Sequence, residues 1–163
     1  MKTVGLGIAY DQLKPGDRFR TLGRTLTETD LVNFINATGM VEVLFTDIEY
    51  AREHAPQGGR LVPGALVYAV AEGLLVQAIL QRTGLAFLSM EFEIRAPTFV
   101  GDTVHVEVEV LESRPTSKTP EKGLVRTRND IINQHGEIVI SYTPLRLAAS
   151  RAVRDSDEIS DER

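Results

Sequence analysis

The run GALVYAVAEGLLVQAIL, Gly64–Leu80, decides the fold. Pro63 stands immediately before it, where a fixed φ and a missing N–H suit a helix start. Apolar residues lie almost all round the helical wheel from Gly64 to about Gln81, and such a helix is covered on most sides. A membrane span is the competing reading. The run is marginal in length for crossing, Glu72 and Gln77 interrupt it, and Gln81-Arg82 closes it. A helix buried inside a globular domain fits better.

The elements around this helix say what covers it. Downstream, AFLSMEFEIRA alternates, with Ala86, Leu88, Met90, Phe92 and Ile94 on one face. Ser89, Glu91, Glu93 and Arg95 take the other. TVHVEVEVL alternates too, with Val104, Val106, Val108 and Val110 inward. Gly101-Asp102 forms the turn between them. LVRTRNDII and EIVISYTPLRL flank NQHG, a hairpin turn, and a polar loop spans Ser113–Gly123. Upstream, a short strand is expected around Phe19–Leu26. A helix follows over Glu28–Thr38, with Thr27 as N-cap, Asp30 three residues on, and Gly39 as the stop. Met40–Pro63 is a long irregular segment with a helical turn near Asp47–Glu53, and long loops in small domains are often functional. The tail, 148–163, is polar and acidic without a core pattern and is expected to be disordered. Residues 1–147 form one α+β domain, a curved antiparallel sheet wrapped around the long hydrophobic helix. That helix has more apolar surface than one sheet face covers, so a partner chain at a sheet edge or over the helix is expected.

Composition narrows the function classes. The chain has 163 residues, 42% hydrophobic and 25% charged, which suits one domain. There is no Cys, so disulfides, thiolate chemistry and Cys-based zinc sites are excluded. Three scattered His make no metal site. A net charge of −5 argues against nucleic acid or an anionic membrane as partner. The N-terminus lacks an apolar signal core, and a cytoplasmic location is expected. Gly5-Leu6-Gly7 lacks the rest of a dinucleotide fingerprint and carries no weight.

TETDLVNF (Thr27–Phe34), FTDIEYA (Phe45–Ala51), GGRLVPGALVYAVAEGLL (Gly58–Leu75) and FEIRAPTFVGDTVHVEVEV (Phe92–Val110) occur in this order. Together they resemble the MaoC-like family of acyl-CoA hydratases and dehydratases, over roughly Asp17–Leu147. The resemblance implies a hotdog fold, a dimer or paired hotdog units, and water addition to or removal from a coenzyme A thioester. No further cofactor is implied. In that family the loop after the first helix carries Asp-x-Asn-Pro-x-His, an acid–base pair that positions and activates water. In TGMVEVLFTDIEYA (Thr38–Ala51) the Asp position is Met40, the Asn position Glu42, the Pro position Val43 and the His position Phe45. Thr46, Asp47, Tyr50 and Ala51 return to the pattern, which fixes the register. A His common before the glycine of the second helix is Pro63. Neither Met nor Phe moves a proton, so the family mechanism cannot run unchanged.

Two carboxylates are candidates for catalysis. Glu42 is the one ionisable side chain between Met40 and Phe45, and either turns inward as a base or is a solvated loop residue. Glu72 lies mid-helix, one turn after Tyr68. A buried carboxylate is costly without a partner and marks functional sites more often than chance. Gly64 with Ala69-Val70-Ala71-Glu72 also resembles the helix step of hotdog acyl-CoA thioesterases, where the carboxylate acts on the thioester and N–H groups at the helix start polarise its carbonyl. The competing reading pairs Glu72 with an Arg or Tyr at a subunit interface. Met40, Phe45, Gly59, Arg60, Pro63, Gly64 and Tyr68 are the expected substrate-binding set. Arg60 could meet a CoA phosphate, as could Arg95, Arg126 or Arg128 from the sheet. His105 and His135 are expected at the surface, and His54 could reach the pocket. Three functions follow: a divergent hydratase or dehydratase using Glu42 or Glu72, a thioesterase using Glu72, or a non-catalytic acyl-CoA-binding subunit. The subunit would pair with itself or with a relative carrying an intact Asp/His pair.

Overall fold

The computed structural model describes residues 3–160. Two short strands, β1 (Arg18–Arg20) and β2 (Arg24–Thr25), stand where one was expected. Helix α1 covers Glu28–Thr38 as read from the sequence. Its start is a capping box: Thr27 Oγ1 accepts from Asp30 N, and Asp30 accepts from Thr27 N. Its end is Gly39 at φ 71°, a left-handed turn that glycine adopts without cost. The segment that follows is more ordered than its irregular sequence suggests. It forms α2 (Val43–Thr46) and α3 (Ile48–His54), and Asp47 caps α3 by accepting from Glu49 N and Tyr50 N.

The central helix, α4, covers Gly64–Leu75 and continues as a π-helical turn over Val76–Leu80. The N-terminal segment runs along that turn: Ile8 N donates to Ile79 O and Gly7 N to Gln81 O. Four long antiparallel strands follow, β3 (Gly84–Ile94), β4 (Thr103–Pro115), β5 (Lys122–Ile132) and β6 (Ile138–Ala149). The sheet order is β1-β4-β5-β6-β3, with β2 also on β4. Val67, Ala71 and Leu75 of α4 pack on Val104, Val106 and Val108 of β4, Ile131 of β5 and Val139, Ile140 and Tyr142 of β6. This is the hotdog arrangement expected of the sequence, and the even residues of β4 point inward as their alternation requires. No helix among the described residues is long and apolar enough to cross a membrane.

Two expectations need correction. The inward stripe of β3 breaks at a bulge between Phe87 and Ser89: Phe87 pairs with Arg146 and Ser89 with Leu145, leaving Leu88 as the extra residue. One inserted residue reverses the alternation. Phe87 therefore takes the helix side, where the Arg146 guanidinium lies 4.7 Å from its ring centre. The tail expected to be disordered from Ala148 is instead strand to Ala149 and helix α5 over Arg151–Ser160. Polar contacts rather than a core pattern hold it. Asp11 accepts from Arg151 N, and Arg154 donates to Gly7 O and Gln12 Oε1. Residues 161–163 lie outside the described range.

Candidate functional site

The cleft of interest opens at the N-terminal end of α4. Pro63 is the N-cap residue, and its carbonyl accepts from Leu66 N and Val67 N. Gly64 lies close to β3: a Cβ there would lie 2.5 Å from Ile94 Cδ1, and that side chain would have to turn aside. The first residues of α4 thus lie against the end of β3. The cavity between them is about 320 Å³. Its walls include Phe45 from α2, Pro63 and Gly64, Ile94 of β3, Ala96 beyond it, and Ile140 of β6. No titratable side chain lines it among the described residues.

Arg60 holds the loop over this cleft. Its Nε and Nη2 bond the Glu28 carboxylate at 3.1 and 2.7 Å, and Nη1 donates to Phe45 O at 2.5 Å. The guanidinium therefore ties the start of α1 to the residue at the mouth of the cleft. It is committed to that tie rather than offered to a phosphate. The bonds from Arg60 pull the Glu28 carboxyl below its ordinary pKa, against a smaller opposing effect of burial.

Glu42 does not turn inward. It is exposed and is the N-cap of α2, its Oε2 accepting from Leu44 N at 2.7 Å. Met40 is also exposed, and Phe45 packs partly against the core. Gly59 lies beside the cleft against Phe99, whose ring a Cβ at this position would meet at 2.5 Å.

Glu72 is inside, and it is fully engaged. Tyr142 Oη donates to Oε1 at 2.7 Å, and Arg146 Nη2 spans both oxygens at 2.7 and 2.8 Å. The side chains of Arg146 and Glu72 are only 13% and 18% exposed. The expected Arg and Tyr partners are both present, but within one chain rather than across an interface. Burial, and then the Glu72 charge, raise the Tyr142 hydroxyl far above its ordinary pKa and keep it a donor. Tyr68 is raised by the same two causes. Its ring meets Phe92 and Tyr142 edge-on, with centroids 5.6 and 5.2 Å away.

The remaining candidates fall elsewhere. His54 stacks on Tyr50 at 4.0 Å, with Nδ1 2.9 Å from Tyr50 O, and does not line the cleft. His105 is more covered than expected. Its side chain is 12% exposed beside Glu107, and burial, then the Arg20 charge, lowers its pKa. His135 sits in the exposed turn beside Gln134. Arg95, Arg126 and Arg128 pair with Glu93, Glu112 and Glu109 on the outer sheet face. No cluster among the described residues has three or more side chains suited to a metal ion. Sequence reasoning missed Tyr142, Arg146 and Ile140. The first two were reachable from Glu72, since a carboxylate inside an apolar helix demands partners from the facing strand.

Comparison with known proteins agrees with this architecture. The family model described as MaoC like domain matches residues 11–133. Protein MaoC of Klebsiella aerogenes is 34% identical over 100 residues, covering 61% of this chain and 29% of that protein. The chain thus spans less than a third of that relative. The crystal structure of a MaoC-like dehydratase from Rhodospirillum rubrum superposes with a TM-score of 0.76 at 29% identity, covering 89% of this chain and 99% of that one. A Mycobacterium tuberculosis protein with a double hotdog fold gives a TM-score of 0.74 at 23% identity, over 91% of this chain and 46% of its own.

Proposed function

We propose that this chain, which belongs to the MaoC-like domain family, binds the acyl part of a coenzyme A thioester at the start of α4 and supplies no proton-transfer group there. The observation that carries this reading is the cleft lining, which is apolar or neutral throughout. Such a pocket suits an aliphatic chain. Water addition or removal needs an acid or base within hydrogen-bond reach of the reacting atoms. Met40 and Phe45 cannot serve, Glu42 is used as a cap, and Glu72 is bound by Arg146 and Tyr142. The same ion pair counts against Glu72 as the base or nucleophile of a thioesterase, because attack on a thioester would require Glu72 to give up its charge-assisted bonds from Arg146 Nη2 and its bond from Tyr142 Oη.

The chain acts in this reading as an acyl-binding subunit within a pair of hotdog units. The support is the edge strand β3, exposed at every residue, with Phe87, Leu88, Met90, Phe92 and Ile94 among its large apolar side chains. A long apolar edge calls for a neighbouring strand. A second copy, or a related chain with an intact Asp/His pair, meets that need. The setting is a cytoplasmic one.

Titration calorimetry and mass spectrometry of the purified protein with enoyl- and saturated acyl-CoAs test this directly. Saturable binding with both pools unchanged is the expected result. One water gained on the enoyl species would replace this reading with a hydratase. Release of free CoA, absent in Glu72→Gln, would replace it with a thioesterase.

A further inference from the structure

We infer that Thr98 gives the cleft a preference for acyl groups that carry an oxygen along the chain, by hydrogen-bonding that oxygen through its hydroxyl; this rests on the acyl-binding reading above. The make-up of the wall carries the inference. Phe45, Leu61, Val62, Pro63, Ile94 and Ile140 bring side chains of carbon only. Thr98 lines the same cleft, and among the described lining residues it alone has a side chain able to hydrogen-bond.

That hydroxyl is unused within the chain. Thr98 is 3% exposed, and its side chain makes no hydrogen bond among the described residues. The fully buried side-chain atoms left without a partner are His105 Nε2 and Asn129 Oδ1. Thr98 Oγ1 is not one of them, so the small open part of Thr98 includes this oxygen. The space that Thr98 lines is the cleft.

The backbone fixes where the hydroxyl stands. Pro97 precedes it with a locked φ. Thr98 O accepts from Val62 N at 2.8 Å, and Phe99 bridges to Leu61. Phe99 N donates to Asp102 Oδ2, and Val100 N to Arg60 O. Thr98 is therefore pinned to Leu61 and Val62, which are themselves part of the wall. Its carbonyl is spent on that contact and its hydroxyl is spare.

A spare hydroxyl in an apolar wall discriminates in two ways. It donates to, or accepts from, an oxygen on the acyl chain. A plain hydrocarbon chain that covers it strips its water and returns no bond. A missing hydrogen bond discriminates more strongly than a missing methylene. The thioester carbonyl has other donors in the cleft: Gly64, which opens α4, lines it too, and the first N–H groups of a helix have no acceptor within that helix. Thr98 is left for a second oxygen. It is a specificity-determining residue and moves no proton.

Titration calorimetry with free CoA, butyryl-CoA and the 2-, 3- and 4-hydroxy derivatives of butyryl-CoA tests this role. The unaltered chain is expected to bind at least one derivative about tenfold more tightly than butyryl-CoA. Thr98→Val keeps the shape without the hydroxyl and is expected to abolish that preference while binding butyryl-CoA as well as before. Thr98→Ala also lacks the hydroxyl and serves the same purpose if Thr98→Val does not fold. Thr98→Ser keeps the hydroxyl and is expected to retain the preference. Equal affinity for butyryl-CoA and all its derivatives, or a preference that survives Thr98→Val, would overturn the role of Thr98 while leaving acyl binding standing. An equal loss on every acyl-CoA in Thr98→Val would overturn it too, by assigning the hydroxyl to the thioester itself. Acyl-CoAs that bind no better than free CoA would remove this role and the acyl-binding reading together.

Discussion

Replacing Arg146 by Met tests the ion-pair network around Glu72. Arg146 is a nearly isosteric stem carrying the charge that neutralises Glu72. Its removal leaves a carboxylate that is 18% exposed with one remaining side-chain donor, Tyr142. Breaking a buried pair from one side costs about 3–5 kcal/mol. The guanidinium over the Phe87 ring contributes about 0.5–1 kcal/mol more. The residual exposure of Glu72 and its bond from Tyr142 offset part of this, so we expect a loss of about 3 kcal/mol. The reverse logic applies to the pair. Arg146→Met combined with Glu72→Gln removes both charges while leaving Tyr142 Oη an acceptor, and is expected to restore a good part of that loss. Urea denaturation followed by circular dichroism, at one fixed protein concentration, measures both. A single-variant loss below about 1 kcal/mol, or a double variant as unstable as the single, would refute the assignment of Arg146 as the essential partner of Glu72.

Gly64→Ala places a Cβ 2.5 Å from Ile94 Cδ1, the end of a flexible side chain that is 57% exposed and can turn aside, so a cost below about 1 kcal/mol is expected in the same denaturation assay. Thr27→Ala removes the N-cap of α1 and should cost about 1 kcal/mol in denaturant titrations. The Glu28 carboxyl is held below its ordinary value of 4.5 by Arg60, so its contribution is fully present above that pH and is lost as pH falls through the lower folded value. Glu28→Gln should therefore flatten the acid limb of a stability–pH profile while leaving the slope near neutrality unchanged.

Much of this fold is written in local patterns. α1 has its cap, its stripe and its stop in adjacent residues, and Val104–Val110 alternate because one sheet face meets the core. The bulge at Leu88 had no such sign. The alternation of AFLSMEFEIRA is unbroken in sequence, and only pairing with β6 shows the inserted residue. The tail escaped for a related reason. α5 is held by the polar contacts of Arg151 and Arg154 with the N-terminal segment, which residue patterning does not encode. Around the cleft, Phe45, Pro63 and Gly64 could be placed from motif spacing, whereas Met40 is exposed and does not line it. The fates of Glu42 and Glu72 could not. A cap and an ion pair both depend on where the backbone and the facing strand stand, and Arg146 is distant in sequence from Glu72.

In the proposed reading, the cleft keeps its acyl-binding shape and lacks proton transfer. Hydration of a short enoyl-CoA, followed by loss of the conjugated thioester absorbance, addresses it most directly in the unaltered chain and in Met40→Asp combined with Phe45→His. No turnover is expected of the unaltered chain and measurable turnover of the double variant, which restores the Asp and His that the family resemblance implies at these two positions, Phe45 lining the cleft. Turnover by the unaltered chain would contradict this reading.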